Sequence, residues 1–254
     1  MDTGSSPFDL AGCRAVVTGA SRGIGAATAV ALATAGASCI SLIARDETAL
    51  LAVASRVETA GSRARTICCD VTDPADLAAA FDAVDGVDLL VNCAGANQPE
   101  PFVAVRHETF ERLWHLNVGA TFFAAQHAVA LMRAGGRGGT VINLSSQMGH
   151  VGAPQRSVYC TTKHAIEGMT KALAVELAPE GIRVVSIAPT FIETEMTAPF
   201  FAEPGFRADV ERRIPLGEIG QVADVAGAVV FAASPAARLV TGTSLVIDGG
   251  WTAQ

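Results

Sequence analysis

Charge is scarce in this sequence: Asp, Glu, Lys and Arg make up 17% of its 254 residues, and the net charge is −7. No basic run occurs, which excludes the electrostatic footprint of a nucleic-acid or anionic-membrane partner. Cys13, Cys39, Cys68, Cys69, Cys93 and Cys160 form no Cys-x-x-Cys pair and no Cys/His ligand spacing. A disulfide frame and a metal site are therefore not expected; the six read as buried reduced thiols. Aromatic residues amount to 6%, and Tyr159 is the one tyrosine. Residues 1–12 have neither a basic start nor an apolar core, so no signal peptide is expected. Residues 23–44 are uncharged and long enough to imitate a membrane span. They are mostly Ala, Thr, Ser and Gly, however, and Gly36-Ala37 breaks the run, so a buried helix followed by a buried strand is expected. These absences point to a cytoplasmic protein whose partner is a small molecule.

What is present is apolar, 50% of the chain, enough for a sizeable core. Strand-like runs at 14–18, 38–44, 65–69, 88–92, 140–144, 183–188 and 244–247 alternate with helical patterns at 23–35, 47–60, 75–84, 108–132, 159–177 and 222–233. Strict alternation gives an α/β fold, a parallel sheet covered on both faces. Right-handed crossovers and chain length favour one doubly wound domain over 1–254. No linker, repeat or low-complexity segment interrupts it. Residues 190–215, with Phe191, Phe200, Phe201 and Phe206, are too long for a plain loop and are expected to form a substrate lid.

The first strand runs into Gly19-Ala20-Ser21-Arg22-Gly23-Ile24-Gly25 and then a helix, the layout of a Rossmann fold that lays a pyrophosphate on helix N-terminal amides. The spacing is Gly-x-x-x-Gly-x-Gly. About twenty residues on, where such a fold reads the adenine ribose, stand Arg45 and Asp46. An acidic group there suits the ribose hydroxyls of NAD, an arginine the 2′-phosphate of NADP; Asp46 also suits a helix N-cap. Arg45 with Arg22 favours NADP over NAD. Asp70-Val71 ends the third strand, where the Asp can take the adenine amino group or cap a turn. Asn92-Cys93-Ala94-Gly95 ends the fourth, its small residues letting a cofactor pass close. Asn117, amid apolar neighbours, needs buried partners; a kink or cap and a functional role are both open to it.

The chemistry centres on Ser146, Tyr159 and Lys163. Tyr159 and Lys163, at i and i+4, share one helix face. An ammonium beside a phenol favours the phenolate and is expected to lower the tyrosine pKa toward working pH, as suits a general acid/base. Ser146, just past the fifth strand, could hold the same substrate oxygen. The set handles the proton of a carbonyl/alcohol pair and leaves the hydride to a cofactor.

Taken together, Thr18-Gly19-x-x-x-Gly23-Ile24-Gly25, Asn92-x-Ala94-Gly95, Asn117, Ser146, Tyr159-x-x-x-Lys163 and the closing Asp248-Gly-Gly resemble the short-chain dehydrogenase/reductase family over nearly the whole chain. The resemblance implies a sheet of seven parallel strands and usually tetramers, less often dimers, joined through the helices at 108–132 and 159–177. It makes Tyr159 the acid/base and gives Lys163 the lowering of its pKa and the hold on the nicotinamide ribose. Ser146 steadies the substrate oxygen, Asn117 supports a water relay, and Ile192 and Thr194 contact the carboxamide. Departures are Cys93, Val185, and Pro189-Thr190 where many members have Pro-Gly. Thr adopts φ > 0 poorly, so the nicotinamide-end loop is expected to differ locally.

Asn97, Gln98, Gln147, His150, Gln155 and Phe191 are candidates for facing the nicotinamide, with Gln147, His150 and Gln155 the substrate-binding choices beside Ser146 and Tyr159. Amides and a histidine suit a hydroxylated substrate, which points to a sugar, polyol or sugar acid. They could also merely satisfy loop backbone. The alternative is a 3-oxoacyl-thioester reductase. Against it, Glu180 stands where bacterial carrier-protein reductases have an arginine, although Arg137 offers a second basic site. Steroid or aromatic carbonyls, and a dinucleotide sensor without chemistry, are the remaining readings.

Overall fold

A computed structural model describes residues 6–254. Its strands are β1 Arg14–Thr18, β2 Cys39–Ala44, β3 Arg63–Cys68, β4 Leu89–Asn92, β5 Gly139–Leu144, β6 Ile182–Pro189 and β7 Ser244–Ile247. All pair in parallel in the order β3-β2-β1-β4-β5-β6-β7. The helices are α1 Gly23–Thr34, α2 Glu47–Thr59, α3 Pro74–Asp82, α4 His107–Trp114, α5 Ala120–Gly135, α6 Ser157–Leu177, α7 Ala198–Phe201, α8 Phe206–Arg213 and α9 Val222–Ala233.

The central strands are apolar throughout because both of their faces are covered. Successive side chains go to opposite faces. Val17 thus joins Leu32, Leu50, Val53 and Val229 under α1, α2 and α9, while its neighbour Val16 joins Phe81, Ala124 and Met132 under α3 and α5. The strand order reverses between β1 and β4, and a parallel sheet opens a ligand crevice beyond its carboxyl ends at such a point. The register sets Thr18 beside Asn92 and Asn92 beside Asn143. Gly19 and Cys93 therefore leave the sheet side by side, next to the last residue of β5, Leu144.

One detail departs from the sequence expectations, and two others agree with them: Thr190 avoids the left-handed backbone, and residues 190–215 are more than a plain loop. The helix expected at 108–132 is broken by a π turn at His115–Gly119, and its second half runs on to Gly135, where Gly136 caps it in the left-handed region at φ 64°. A single extra residue per turn there swings Asn117 inward, to 1% exposure. Thr190 is not in the left-handed region; β6 runs straight through Pro189, and the Thr190 amide donates to Ile247 at 3.0 Å. The connection over 190–215 is not irregular, since it folds into α7 and α8 around Val210, Ile214 and Ile219 with Phe191, Phe201, Phe206 and Trp251 packed on them. Among the described residues no helix is long and apolar enough to cross a membrane.

Candidate active site

The turn after β1 needs glycine for two reasons. Gly19 has φ +65°, and a Cβ added to it would stand 2.8 Å from the Ala94 Cα and N. The two loops are thus in backbone contact, and a side chain at Gly19 would part them. Arg22 opens α1 without a side-chain cap, so the first amides of the helix are available to an anion. Arg22 itself is exposed, 3.5 Å from Glu195. A cavity of about 390 Å³ beside the turn is lined by Ser21, Arg22, Gly23, Val53 and Thr194. Ile24 packs against the core below.

At the end of β2 the two candidates divide the work. Asp46 accepts from the Ala49 amide at 3.0 Å and caps α2. Arg45 is exposed and lies 3.8 Å from Asp70. The Thr72 hydroxyl, at 2.7 Å, is the largest influence holding the Asp70 carboxyl below its usual range, with the Thr72 amide and Arg45 adding to it. Val71 is buried behind it.

Past β4, Asn92 donates to Asn143 at 3.0 Å and to the Thr121 carbonyl at 3.3 Å, and Asn143 donates to Thr170 at 3.1 Å. This buried amide chain braces β4, β5, α5 and α6. Burial pushes the Cys93 thiol up to about 12, so it carries no reactive thiolate. At Gly95 an added Cβ would meet Asn117 Oδ1 at 3.2 Å and Lys163 Nζ at 3.9 Å. The loop, the π turn and α6 therefore meet at one point. Asn117 clamps the loop: it accepts from the Ala96 amide at 2.9 Å and donates to the Ala96 carbonyl at 2.9 Å and to Thr162 at 3.1 Å.

Ser146 follows β5 and is 7% exposed. Its hydroxyl accepts from the Met148 amide at 3.2 Å and donates weakly to the Pro189 carbonyl at 3.5 Å. Lys163 donates to the Leu144 carbonyl at 2.7 Å, with its ammonium 5.6 Å from the centre of the Tyr159 ring. Here one expectation is overturned. Burial raises the Tyr159 phenol to about 12, and the hydrogen bond with Ser146 offsets only part of this. The Lys163 ammonium is directed to a carbonyl and not to the phenol oxygen, and burial lowers its own pKa to about 8.

The remaining candidates scatter. Gln147 is buried, and its Oε1 has no partner; the same holds for Thr190 Oγ1 and Asn97 Oδ1. His150 sits 3.0 Å from Ser244 and 3.4 Å from Glu167, whose other oxygen accepts from Ser186 at 2.7 Å. That places its ring level with Ser186, three residues inside the end of β6, and not beside Tyr159. Gln155 is exposed, the one non-glycine residue in the left-handed region (φ 58°) among the described residues, and its carbonyl accepts from Glu100 at 3.0 Å. Gln98 is bonded to Glu100 and Arg112. Ile192 is buried and Thr194 is bonded to Thr197, both just past β6. Phe191 meets Phe206 edge-on and Trp251 at a tilt.

Sequence reading missed Asn143, Thr162 and Arg156. The first two look like ordinary strand and helix residues, and only the fold turns them inward. Arg156 carried a usable signal: a lone cation one helical turn before Tyr159. It is 8% exposed, its Nε has no partner, and its guanidinium lies 5.2 Å from the Phe200 ring centre.

Comparison with known proteins follows this geometry. A family model described as enoyl-(acyl carrier protein) reductase matches residues 19–252. The chain is 37% identical to L-xylulose reductase of Mesocricetus auratus over 242 residues, 95% of this chain and 97% of that protein. It is 36% identical to gluconate 5-dehydrogenase of Gluconobacter oxydans over 249 residues, 96% of each. A gluconate 5-dehydrogenase from Burkholderia cenocepacia, solved with NADP and tartrate, superposes with a TM-score of 0.93 at 34% identity, covering 98% of both chains.

Proposed function

The chain belongs to the short-chain dehydrogenase/reductase family, and on that premise we propose that it interconverts a secondary alcohol and a carbonyl on a polyol, sugar or sugar acid, with NADP(H) favoured over NAD(H). The observation that carries the reaction type is the convergence of Ser146, Tyr159, Lys163 and Asn117 at the ends of β4 and β5.

Bound NADP(H) would supply the hydride in reduction and accept it in oxidation. The rest falls to the chain's own groups. Tyr159 gives its proton to the carbonyl oxygen in reduction, the role its protonated phenol suits; in oxidation it would take the alcohol's proton as the phenolate. Ser146 holds the same oxygen; its 3.5 Å contact with Pro189 is weak enough to exchange for one. Lys163, with one of its three donors on Leu144, would use the others on the nicotinamide ribose. Asn117 keeps the loop after β4 and α6 in step. The α1 amides and Gly19, Ser21, Gly23 and Gly25 would receive the pyrophosphate. Asn92, Ala94, Gly95 and Val71 would line the way, and Pro189, Thr190, Ile192 and Thr194 the nicotinamide end. Arg45 is held only by an exposed contact to Asp70 and can turn to a 2′-phosphate, while Asp46 is occupied at its cap; this supports NADP.

Three buried oxygens without partners, on Gln147, Thr190 and Asn97, support a hydroxylated substrate, because such groups cost stability unless a ligand satisfies them. The acyl-thioester reading lacks its basic dock. Glu180 is bound by Arg133 at 2.6 Å, and Arg137 is bound by Asp88 at 2.8 Å, so neither cation stands free for an acidic carrier. We take residues 1–254 as one cytoplasmic catalytic domain with α7 and α8 as its lid. The exposed Phe110, Trp114, Phe122 and Phe123 on α4 and α5 support a homotetramer or homodimer.

The test is initial-rate turnover with NADP(H) and NAD(H) across polyols, ketoses, sugar acids and an acetoacetyl thioester. Turnover of a hydroxylated compound, faster with NADP(H), is expected. Reduction of the thioester alone would overturn the substrate reading, and no turnover of any compound would favour a sensor.

A further inference from the structure

Arg156 is a buried cation with no counter-ion. No carboxylate among the described residues lies within ion-pair distance of it, and its side chain makes no hydrogen bond. Its one recorded contact is with Phe200 of α7, whose ring accepts the face of the guanidinium and leaves the in-plane N–H donors unused. The buried Nε carries a desolvation cost that nothing in the protein offsets, while the two terminal nitrogens keep solvent access and stand ready for a ligand. One further feature concentrates positive potential at the same spot. Arg156 is the N-cap of α6, a helix of 21 residues, and no side chain caps that end, so its first amides point outward beside the guanidinium. The residue before it, Gln155, holds the left-handed backbone that turns the chain into the helix.

The position ties this charge to the reaction. Arg156 stands at the N-cap of α6, three residues before Tyr159, and Phe200 belongs to α7, in the connection that follows β6. Gln147, the other buried polar side chain next to Ser146, also has an oxygen with no partner.

We propose that Arg156 and the open N-terminus of α6 receive the carboxylate of the substrate, so that the enzyme acts on a hydroxy or keto acid of a sugar in preference to the neutral polyol. This rests on the oxidoreductase reading above and narrows its substrate. A planar guanidinium matches a carboxylate fork to fork. One unpaired cation balances the single charge of a carboxylate; a phosphate ester, with nearly two, would leave charge uncompensated in a buried site. Arg156 is thus a binding residue that fixes which end of the substrate enters first.

The experiment compares D-gluconate, D-glucitol and D-glucitol 1-phosphate, which share a carbon chain and differ only at C1. Each is offered to the NADP-loaded enzyme, and to its Arg156→Leu and Arg156→Lys variants. In the unaltered enzyme kcat/KM for gluconate should exceed that for glucitol at least tenfold, about 1.4 kcal/mol. Arg156→Leu should bring that ratio near one through KM, and Arg156→Lys should keep part of it. Removing an unpaired buried charge should not lower the melting temperature, which separates lost recognition from lost folding. A ratio near one in the unaltered enzyme, a ratio that survives Arg156→Leu, or a preference for the phosphate ester would each overturn the proposal. Calorimetric binding of gluconate and glucitol to the Tyr159→Phe protein loaded with NADP keeps the two readings apart. Tenfold tighter gluconate binding there, with no turnover by the unaltered enzyme, would support the carboxylate site and refute the polyol and sugar-acid reading. Turnover of both compounds without discrimination would do the reverse.

Discussion

Tyr159 is half-buried, and poor solvation of its phenolate outweighs the influence of the Ser146 hydroxyl, so the phenol keeps its proton at neutral pH. Burial raises Tyr159 to about 12 while it lowers Lys163 to about 8, because both charged forms are poorly solvated. Lys163 gains a carbonyl partner in Leu144 and so stays ordered under the ring. The pair as it stands is suited to hand over a proton in reduction; to take one up in oxidation the phenol must first be deprotonated. Tyr159→Phe deletes that proton and leaves the ring, and turnover should fall by about 10²–10⁴-fold or more. NADP affinity, measured calorimetrically, should stay nearly unchanged, since Gly19, the α1 amides and Lys163 are untouched. Near-normal turnover in this variant would sink the assigned role of Tyr159. Arg156 belongs to the same scale: one unpaired guanidinium, readable from burial and partners alone.

The turn between β1 and α1 and the loop after β4 act as one element, because the Gly19 Cα faces the Ala94 backbone. Gly19→Ala meets two costs, the left-handed backbone (about 1–2 kcal/mol) and a clash at 2.8 Å with main-chain atoms that cannot turn aside. Gly12→Ala has the first without the second: its φ is +79° and nothing lies within 4 Å of the added Cβ. Denaturant melts should therefore place Gly19→Ala clearly below Gly12→Ala, and only Gly19→Ala should lose NADP binding, by more than about tenfold. Equal effects would mean that the close approach of the two loops does not matter. The π turn is the companion device. It aims Asn117 at Ala96 and Thr162, so the same loop is held from its other side. Alternating apolar runs made the strands and helices legible, with ends off by a residue or two. The π turn was not legible, since Leu116, Asn117 and Val118 read as continuous helix until packing demands the extra residue.

Over the whole molecule, burial leaves a pH signature. The thiols of Cys13, Cys69 and Cys93 rise from 9.0 to about 12, 11 and 12, chiefly by desolvation, and Tyr159 rises from 10.0 to about 12. Above pH 9 the unfolded chain releases protons that the folded chain keeps, so stability falls as pH rises. Lys163 works the other way between about 8 and 10.5, where only the unfolded chain still holds its proton. Four groups outweigh one. With each kcal/mol worth about 2–4 °C in a chain of this length, melting temperature should drop by at least about 5 °C between pH 9 and pH 11. A flat or rising profile would show that these groups are wetter than the fold implies. At this scale the sequence already indicated one doubly wound sheet, because runs apolar on both faces have to be covered on both.

The chain's own order determined what depends on short spacings: strand and helix periods, the glycine turn, and the i, i+4 pairing of Tyr159 with Lys163. Those relations hold wherever the segment lies. The tertiary structure alone decided which groups are dry and which lack partners. It raised the Tyr159 phenol, drew His150 to Glu167 and Ser244, and closed Arg137 on Asp88. It also left Arg156 without a counter-ion. Desolvation and partner distance arise between residues dozens of positions apart, and the sequence does not record who is near whom.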